Sequence, residues 1–170
     1  MKIGLISDSH DHADNVSRAI SVFQDQHVDV VIHAGDVVSP PIVSLFQGCG
    51  MELHGVFGNN DGEKLGLTKL FEAADGELHG DFADFESGGL RFGVYHGTSD
   101  PLLKAIVASD LYDVVVSGHI HQVVNKKEGE TLVLNPGSAH GFGQEATVMV
   151  LDSIDKEVTV IRLDPYAKTV

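Results

Sequence analysis

The chain has 170 residues, 42% of them hydrophobic, and a formal net charge of -14. That length predicts one domain spanning residues 1–170 with a substantial core, and the apolar content excludes a disordered chain. The charge argues against nonspecific binding to nucleic-acid backbones or anionic membranes, although a phosphate-containing substrate remains compatible with it.

The single cysteine, Cys49, leaves no intrachain disulfide, which favours a reducing interior. The apolar run Ile3-Gly4-Leu5-Ile6 is too short for a signal peptide or a membrane span, and no later stretch qualifies. The expected location is therefore the cytoplasm.

The first half alternates strand and helix signals. Lys2 to Ser7 reads as a buried strand, and Ala13 to Gln26 as a helix with Val16, Ala19, Ile20 and Phe23 on one face. Val28 to Ala34 is a second buried strand. Pro40-Pro41 starts a short helix, because proline suits a first helical turn. Glu52 to Phe57 is a third strand, and Glu63 to Ala74 a helix with Leu67, Leu70 and Phe71 inward. Such alternation predicts right-handed crossovers and a largely parallel sheet.

The second half changes character. Asp81 to Ser87 and Leu90 to Tyr95 flank Gly88-Gly89, a hairpin signal. Pro101 to Ser109 reads as a helix and Asp113 to Ser117 as a valine-rich strand. Val123 to Lys127, Thr131 to Leu134, Thr147 to Leu151 and Glu157 to Leu163 follow, with glycine or charged pairs at their turns. This portion is expected to be meander-like and mostly antiparallel. The economical arrangement is an α/β fold with two packed sheets and helices outside.

Residue types that bind metals recur at the ends of these strands: Asp8-Ser9-His10, Gly35-Asp36, Gly58-Asn59-Asn60-Asp61, His96-Gly97 and Gly118-His119-Ile120-His121. Their oxygen and nitrogen donors suit divalent first-row ions. Taken singly, an Asp after a strand is more often a turn or cap, and a lone His a satisfied core imidazole. Taken together, the clusters point to convergence on one sheet edge, where open α/β sheets bind ligands. If Asp8 to His10 and His119 to His121 are extended, the side chains within each pair point the same way.

In this order, D-x-H, G-D, G-N-x-D, H-G and G-H-x-H resemble the calcineurin-like metallophosphoesterase superfamily, and in particular its small single-domain prokaryotic phosphodiesterases. The likeness runs from Met1 to about Ser138 and includes the turn Asn135-Pro136-Gly137-Ser138. It implies a four-layer αββα sandwich of two mixed sheets flanked by helices, and a centre of two divalent ions. Asp8, His10, Asp36 and His121 would surround one ion. Asn59, His96 and His119 would hold the other, with Asp36 bridging. Manganese is the usual metal of the family, with nickel, iron or zinc as alternatives.

The activity so implied is hydrolysis of a small phosphodiester by in-line attack of a hydroxide bridging the ions. Two ions about 3.5–4 Å apart lower the pKa of that water and offset charge in the transition state. A homodimer or homotetramer is compatible with the resemblance. The rivals are a phosphomonoesterase of the same superfamily and a protein-binding scaffold resembling the retromer subunit of this fold.

One position departs from the superfamily pattern: Asn60 stands where a histidine usually serves the leaving group. A carboxamide donates a hydrogen bond but is no general acid near neutral pH. His140, in Ser138-Ala139-His140-Gly141-Phe142-Gly143, and His12 are candidate substitutes, although an exposed loop histidine is the plainer reading of His140. Asp61 is expected to orient the Asn59-Asn60 turn or a ligand, and Asp11 to support His10 or face solvent. His27, His33, His54 and His79 lie outside the motifs and are read as core or surface residues.

Overall fold

A computed structural model describes residues 1–142 and 145–163. Gly143 of the glycine-rich segment lies outside the described residues. Chain order gives β1 (Lys2–Ile6), α1 (Ala13–Asp25), β2 (Val30–His33), α2 (Pro40–Val43), a 3-10 turn (Ser44–Phe46), β3 (Glu52–Gly55) and α3 (Lys64–Ala73). Then come β4 (Glu77–Leu78), β5 (Phe82–Ser87), β6 (Leu90–Tyr95), α4 (Asp100–Val107), β7 (Val114–Val116), β8 (Val123–Glu128), β9 (Thr131–Pro136), β10 (Thr147–Asp152) and β11 (Val158–Arg162). The sequence placed these elements to within a few residues, except the two-residue β4.

The strands form two mixed sheets, ordered β11-β10-β1-β2-β3-β4 and β5-β6-β7-β9-β8. Side-chain alternation along each strand assigns the layers. In the first sheet Leu5 and Ile32 face the second sheet, while Ile6 and Val31 face a core completed by Val16 and Phe23 of α1 and Phe71 of α3. In the second sheet Val114 and Val116 face inward, and Val115 packs outward with Val107 of α4. Two sheets separating three apolar clusters make the four-layer sandwich. Leu67 and Phe71 are buried as expected, whereas Leu70 is only partly covered.

The second half is mostly antiparallel, through β5–β6, β8–β9, β1–β10 and β10–β11, but it is not a meander. β6, β7 and β9 run parallel to one another, β8 returns to the outer edge, and β10 and β11 cross back to join β1. The physical reason is the crossover helix α4, which carries the chain from the end of β6 back to the start of β7. As a result β1, β2 and β3 of one sheet and β6, β7 and β9 of the other each deliver C-terminal ends to the site.

Candidate metal centre

Six parallel strands are followed by site candidates: Asp8 after β1, Asp36 after β2, Asn59 after β3, His96 after β6, His119 and His121 after β7, and the catalytic candidate His140 after β9. The backbone that brings these side chains together is not extended. Asp8, His10, Asp36, His119 and His121 have φ of 51, 40, 57, 69 and 54°. Left-handed backbone in non-glycine residues is costly and persists where surrounding structure enforces it. The pairs Asp8/His10 and His119/His121 therefore converge through tight turns, which corrects the extended reading.

Hydrogen bonds between the loops enforce these turns. Asp8 N donates to Gly35 O at 3.0 Å, His10 N to Asp36 O at 3.1 Å, and Gly118 N to His96 O at 2.8 Å. The β9 end is sewn to β1 by Ala139 N to Ser7 O at 2.9 Å and His140 N to Asp8 O at 3.1 Å. Asn135 Nδ2 donates to Gly118 O at 2.7 Å, so the Asn-Pro-Gly-Ser turn also holds the His119 loop. Two glycines permit close approach: a Cβ on Gly58 would strike Asp36 Oδ1 and its backbone N, and one on Gly118 would strike Ser7 Oγ.

Asp8 and Asp36 are buried side by side with histidines. His10 Nε2 lies 3.8 Å from Asp8 Oδ1 and 3.4 Å from Asp36 Oδ2; His121 Nε2 is 3.2 Å from Asp8 Oδ1. His96 Nε2 lies 3.3 Å from Asp36 Oδ2, and its Nδ1 is 2.7 Å from the carbonyl of Ala34. A carbonyl only accepts, so Nδ1 carries the proton and the neutral ring turns a lone pair toward the carboxylates. Asp8 Oδ1, His10 Nε2 and His96 Nε2 are buried without a hydrogen-bond partner. Buried donors and acceptors are ordinarily satisfied, and lone pairs aimed at one another fit a cation between them.

The electrostatics agree. Burial raises the Asp36 carboxyl, but the His96 ring and the backbone and side chain of Asn60 outweigh it and hold it far below the usual carboxylate range. Burial lowers His96, yet Asp36, Ala34 O and Asp8 prevail and raise its affinity for a proton. The pocket attracts positive charge.

The remaining candidates separate by position. Asn59 is exposed, and its Oδ1 accepts from Thr98 Oγ1 at 3.5 Å. His119 sits beside His96, ring centroids 5.3 Å apart, and its N donates to Asp8 Oδ2 at 3.0 Å. Asn60 donates from N and Nδ2 to the two oxygens of Asp36, each at 2.8 Å. Asp61, also buried, faces backbone: it accepts from Asp36 N at 2.9 Å, Gly58 N at 2.6 Å and Val38 N at 2.7 Å, locking the β2 and β3 loops together.

Asp11 binds Ser39 through N and Oγ, at 2.8 and 2.7 Å, and so ties the β1 and β2 loops. His12 caps α1, its Nδ1 accepting from Asn15 N at 3.3 Å, which sets it to a structural task.

His140 is no exposed loop residue. It is 5% exposed, with ring centroids 4.8 Å from both His10 and His121. Its Nδ1 accepts from Phe142 N at 2.7 Å, and burial, with His10, His121 and His12 around it, lowers the ring to about 4. Sequence reasoning missed Asn15, whose Nδ2 donates to Ala139 O at 2.8 Å and supports this segment from α1. A buried polar residue on the apolar face of that helix was the available signal.

The sequence profile of the calcineurin-like phosphoesterase superfamily domain matches residues 1–156. This chain belongs to that superfamily. It is 37% identical over 166 residues, covering 96% of this chain and 100% of the relative, to Phosphodiesterase MJ0936 of Methanocaldococcus jannaschii. A solved archaeal phosphodiesterase superposes with a TM-score of 0.91 at 37% identity, covering 95% of this chain and 99% of the other. Vps29 of Chaetomium thermophilum shares the fold, with a TM-score of 0.70 at 15% identity over 95% of this chain and 94% of its own. Members of the superfamily work with paired metal ions, and the clustered Asp8, His10 and Asp36, with His121 alongside, offer donors for them.

Proposed function

We propose that this protein is a phosphodiesterase acting on a small phosphodiester through two divalent ions held by Asp8, His10, Asp36, Asn59, His96, His119 and His121. The observation that carries this reading is the buried, unpaired set of Asp8 Oδ1, His10 Nε2 and His96 Nε2 around the Asp36 carboxylate. When bound, the ions supply Lewis acidity toward a phosphoryl oxygen and a nucleophile at neutral pH. Manganese, the usual metal of the superfamily, is the ion in this reading, and the imidazole donors make nickel, iron and zinc its competitors.

The protein's own residues set the rest. Asp36 lies between His10 and His96, in position to bridge. Asn60 holds the Asp36 oxygens, so a carboxamide stands where an acid would serve the leaving group. His140 Nδ1 is occupied by Phe142 N, which leaves Nε2–H of the neutral ring to donate a hydrogen bond at the site. A leaving group there departs with a hydrogen bond in place of a full proton, which favours acidic, aryl-type esters.

Arg18 donates to Asn15, Arg91 pairs with Asp84 and Arg162 with Glu145, so each arginine has a protein partner. That supports a diester over a monoester. The complete donor set speaks against a scaffold. Among the described residues no helix is long and apolar enough to cross a membrane; a single domain, a homodimer or homotetramer, and a cytoplasmic location complete the reading.

The test starts from metal-free protein given manganese, nickel or zinc, with an aryl diester compared against its monoester. The expected result is metal-dependent diester turnover that rises with leaving-group acidity. Preference for the monoester, or a rate indifferent to the leaving group, overturns the reading.

A further inference from the structure

The β3–β4 edge of the first sheet holds a second histidine cluster. β3 and β4 pair with His54 opposite Glu77, and His79 follows β4, its N donating to Gly55 O at 3.0 Å. Leu53 faces the helix-side core and Val56 the inter-sheet core, so alternation puts His54 on the inner face of its sheet. There His54 Nδ1 and His79 Nε2 stand 2.9 Å apart. On the outer sides Glu52 Oε1 is 3.0 Å from His54 Nε2, and Glu77 Oε1 is 3.4 Å from His79 Nδ1.

Both imidazoles lie against Phe85 of the opposite sheet, with centroids 4.3 and 5.3 Å from its ring. Their side chains are 11% and 13% exposed, whereas those of Glu52 and Glu77 are 59% and 68% exposed. The nitrogens are therefore sheltered and fixed, while the carboxylates open the site to solvent.

The row Glu52–His54–His79–Glu77 is short of one cation. Each outer nitrogen faces a carboxylate and needs a hydrogen, and the contact between the rings needs another. Two neutral imidazoles carry only two N–H groups between them, so the row takes up either a third proton or a metal ion between the rings. We propose that a divalent ion of the zinc class binds between His54 Nδ1 and His79 Nε2, with Glu52 and Glu77 accepting the outer N–H groups and water completing the shell.

Carboxylates behind metal-bound imidazoles fix the tautomer and strengthen the ligand. Tetrahedral zinc with bonds of about 2.0–2.1 Å needs the two nitrogens about 3.3 Å apart, a small opening of the present contact. Burial lowers the His79 ring, with His54 adding to the effect against Glu77, which keeps it in the neutral form that ligates. One donor atom each of His54, Glu77 and His79 lies within 4.8 Å of the others, so the Glu77 charge is close to the ion.

The test titrates zinc into the full chain and follows histidine ring nitrogens by NMR. It also counts zinc retained after dialysis by the native protein and by His79→Gln. The expected result is perturbation of the His54 and His79 rings, and the loss of one zinc per chain in the variant without loss of aryl diester hydrolysis. Equal zinc counts, or His54 and His79 rings unmoved at saturating zinc, overturn the proposal. If His79→Gln does not fold, the ring nitrogens of the native protein decide alone. The zinc counts and the His54 and His79 ring shifts do not depend on the assignment of the catalytic ions; only the hydrolysis readout rests on the proposed function.

Discussion

His96 donates from Nδ1 to the carbonyl of Ala34 and turns Nε2 to within 3.3 Å of Asp36 Oδ2. Without a cation, two acceptors face one another unless the ring is protonated, and both are buried. Metal binding is therefore expected to stabilise the fold, by about 2.7 kcal/mol at a free concentration of 100 times Kd. Thermal melts of metal-free protein with and without added manganese check this. Asp36→Asn should lose both the metal-dependent rise in melting temperature and diester turnover.

The Gly58 backbone lies against Asp36, where a methyl group would meet both the carboxylate and the backbone N. Gly58→Ala is expected to displace that carboxylate and cost about 100-fold in kcat/KM, the scale of a misplacement near 1 Å. Steady-state kinetics on an aryl diester measure it. An unchanged rate at saturating metal would show that the loop yields without moving Asp36.

Asp61 accepts from the backbone N–H groups of Asp36, Val38 and Gly58. Asp61→Asn keeps the shape but turns an NH2 toward one of those donors, and should destabilise the protein by roughly 1–3 kcal/mol. Because the carboxylate sets the Asp36 loop, metal affinity should fall as well. Urea denaturation and metal titration report the two effects separately.

His33 is fully enclosed, its Nε2 3.0 Å from Ser9 Oγ and its Nδ1 accepting from Gly35 N at 3.2 Å. Burial lowers its pKa from the ordinary histidine value of 6.5 to about 3. The unfolded chain thus takes up the proton first. The stability from neutral His33 is complete above about 6.5 and is lost as pH falls toward 3, at up to about 1.4 kcal/mol per pH unit. His33→Gln, which retains a donor and an acceptor, should flatten this slope in urea titrations at pH 7 and 5 with chelator present.

Much of this was legible along the chain. Val30 to His33 and Val114 to Val116 announced buried central strands through unbroken apolar runs, and glycine with a ligand residue beyond each run marked the site edge. The direction of β6, β7 and β9 was not legible, because antiparallel and parallel strands share the same alternation and only the crossovers distinguish them. Nor was the burial of His140: a histidine between glycines reads as loop until the β9 end is seen bonded to Ser7 and Asp8. The contact of His54 with His79, 25 residues apart, has no local signature at all.

By itself the sequence determined the order of strands and helices, the donor types and the family, since these depend on side-chain chemistry and local periodicity. Only the tertiary structure decided which lone pairs meet. Convergence at Asp36 arises from left-handed turns and hydrogen bonds between loops distant along the chain, and no single segment encodes those contacts.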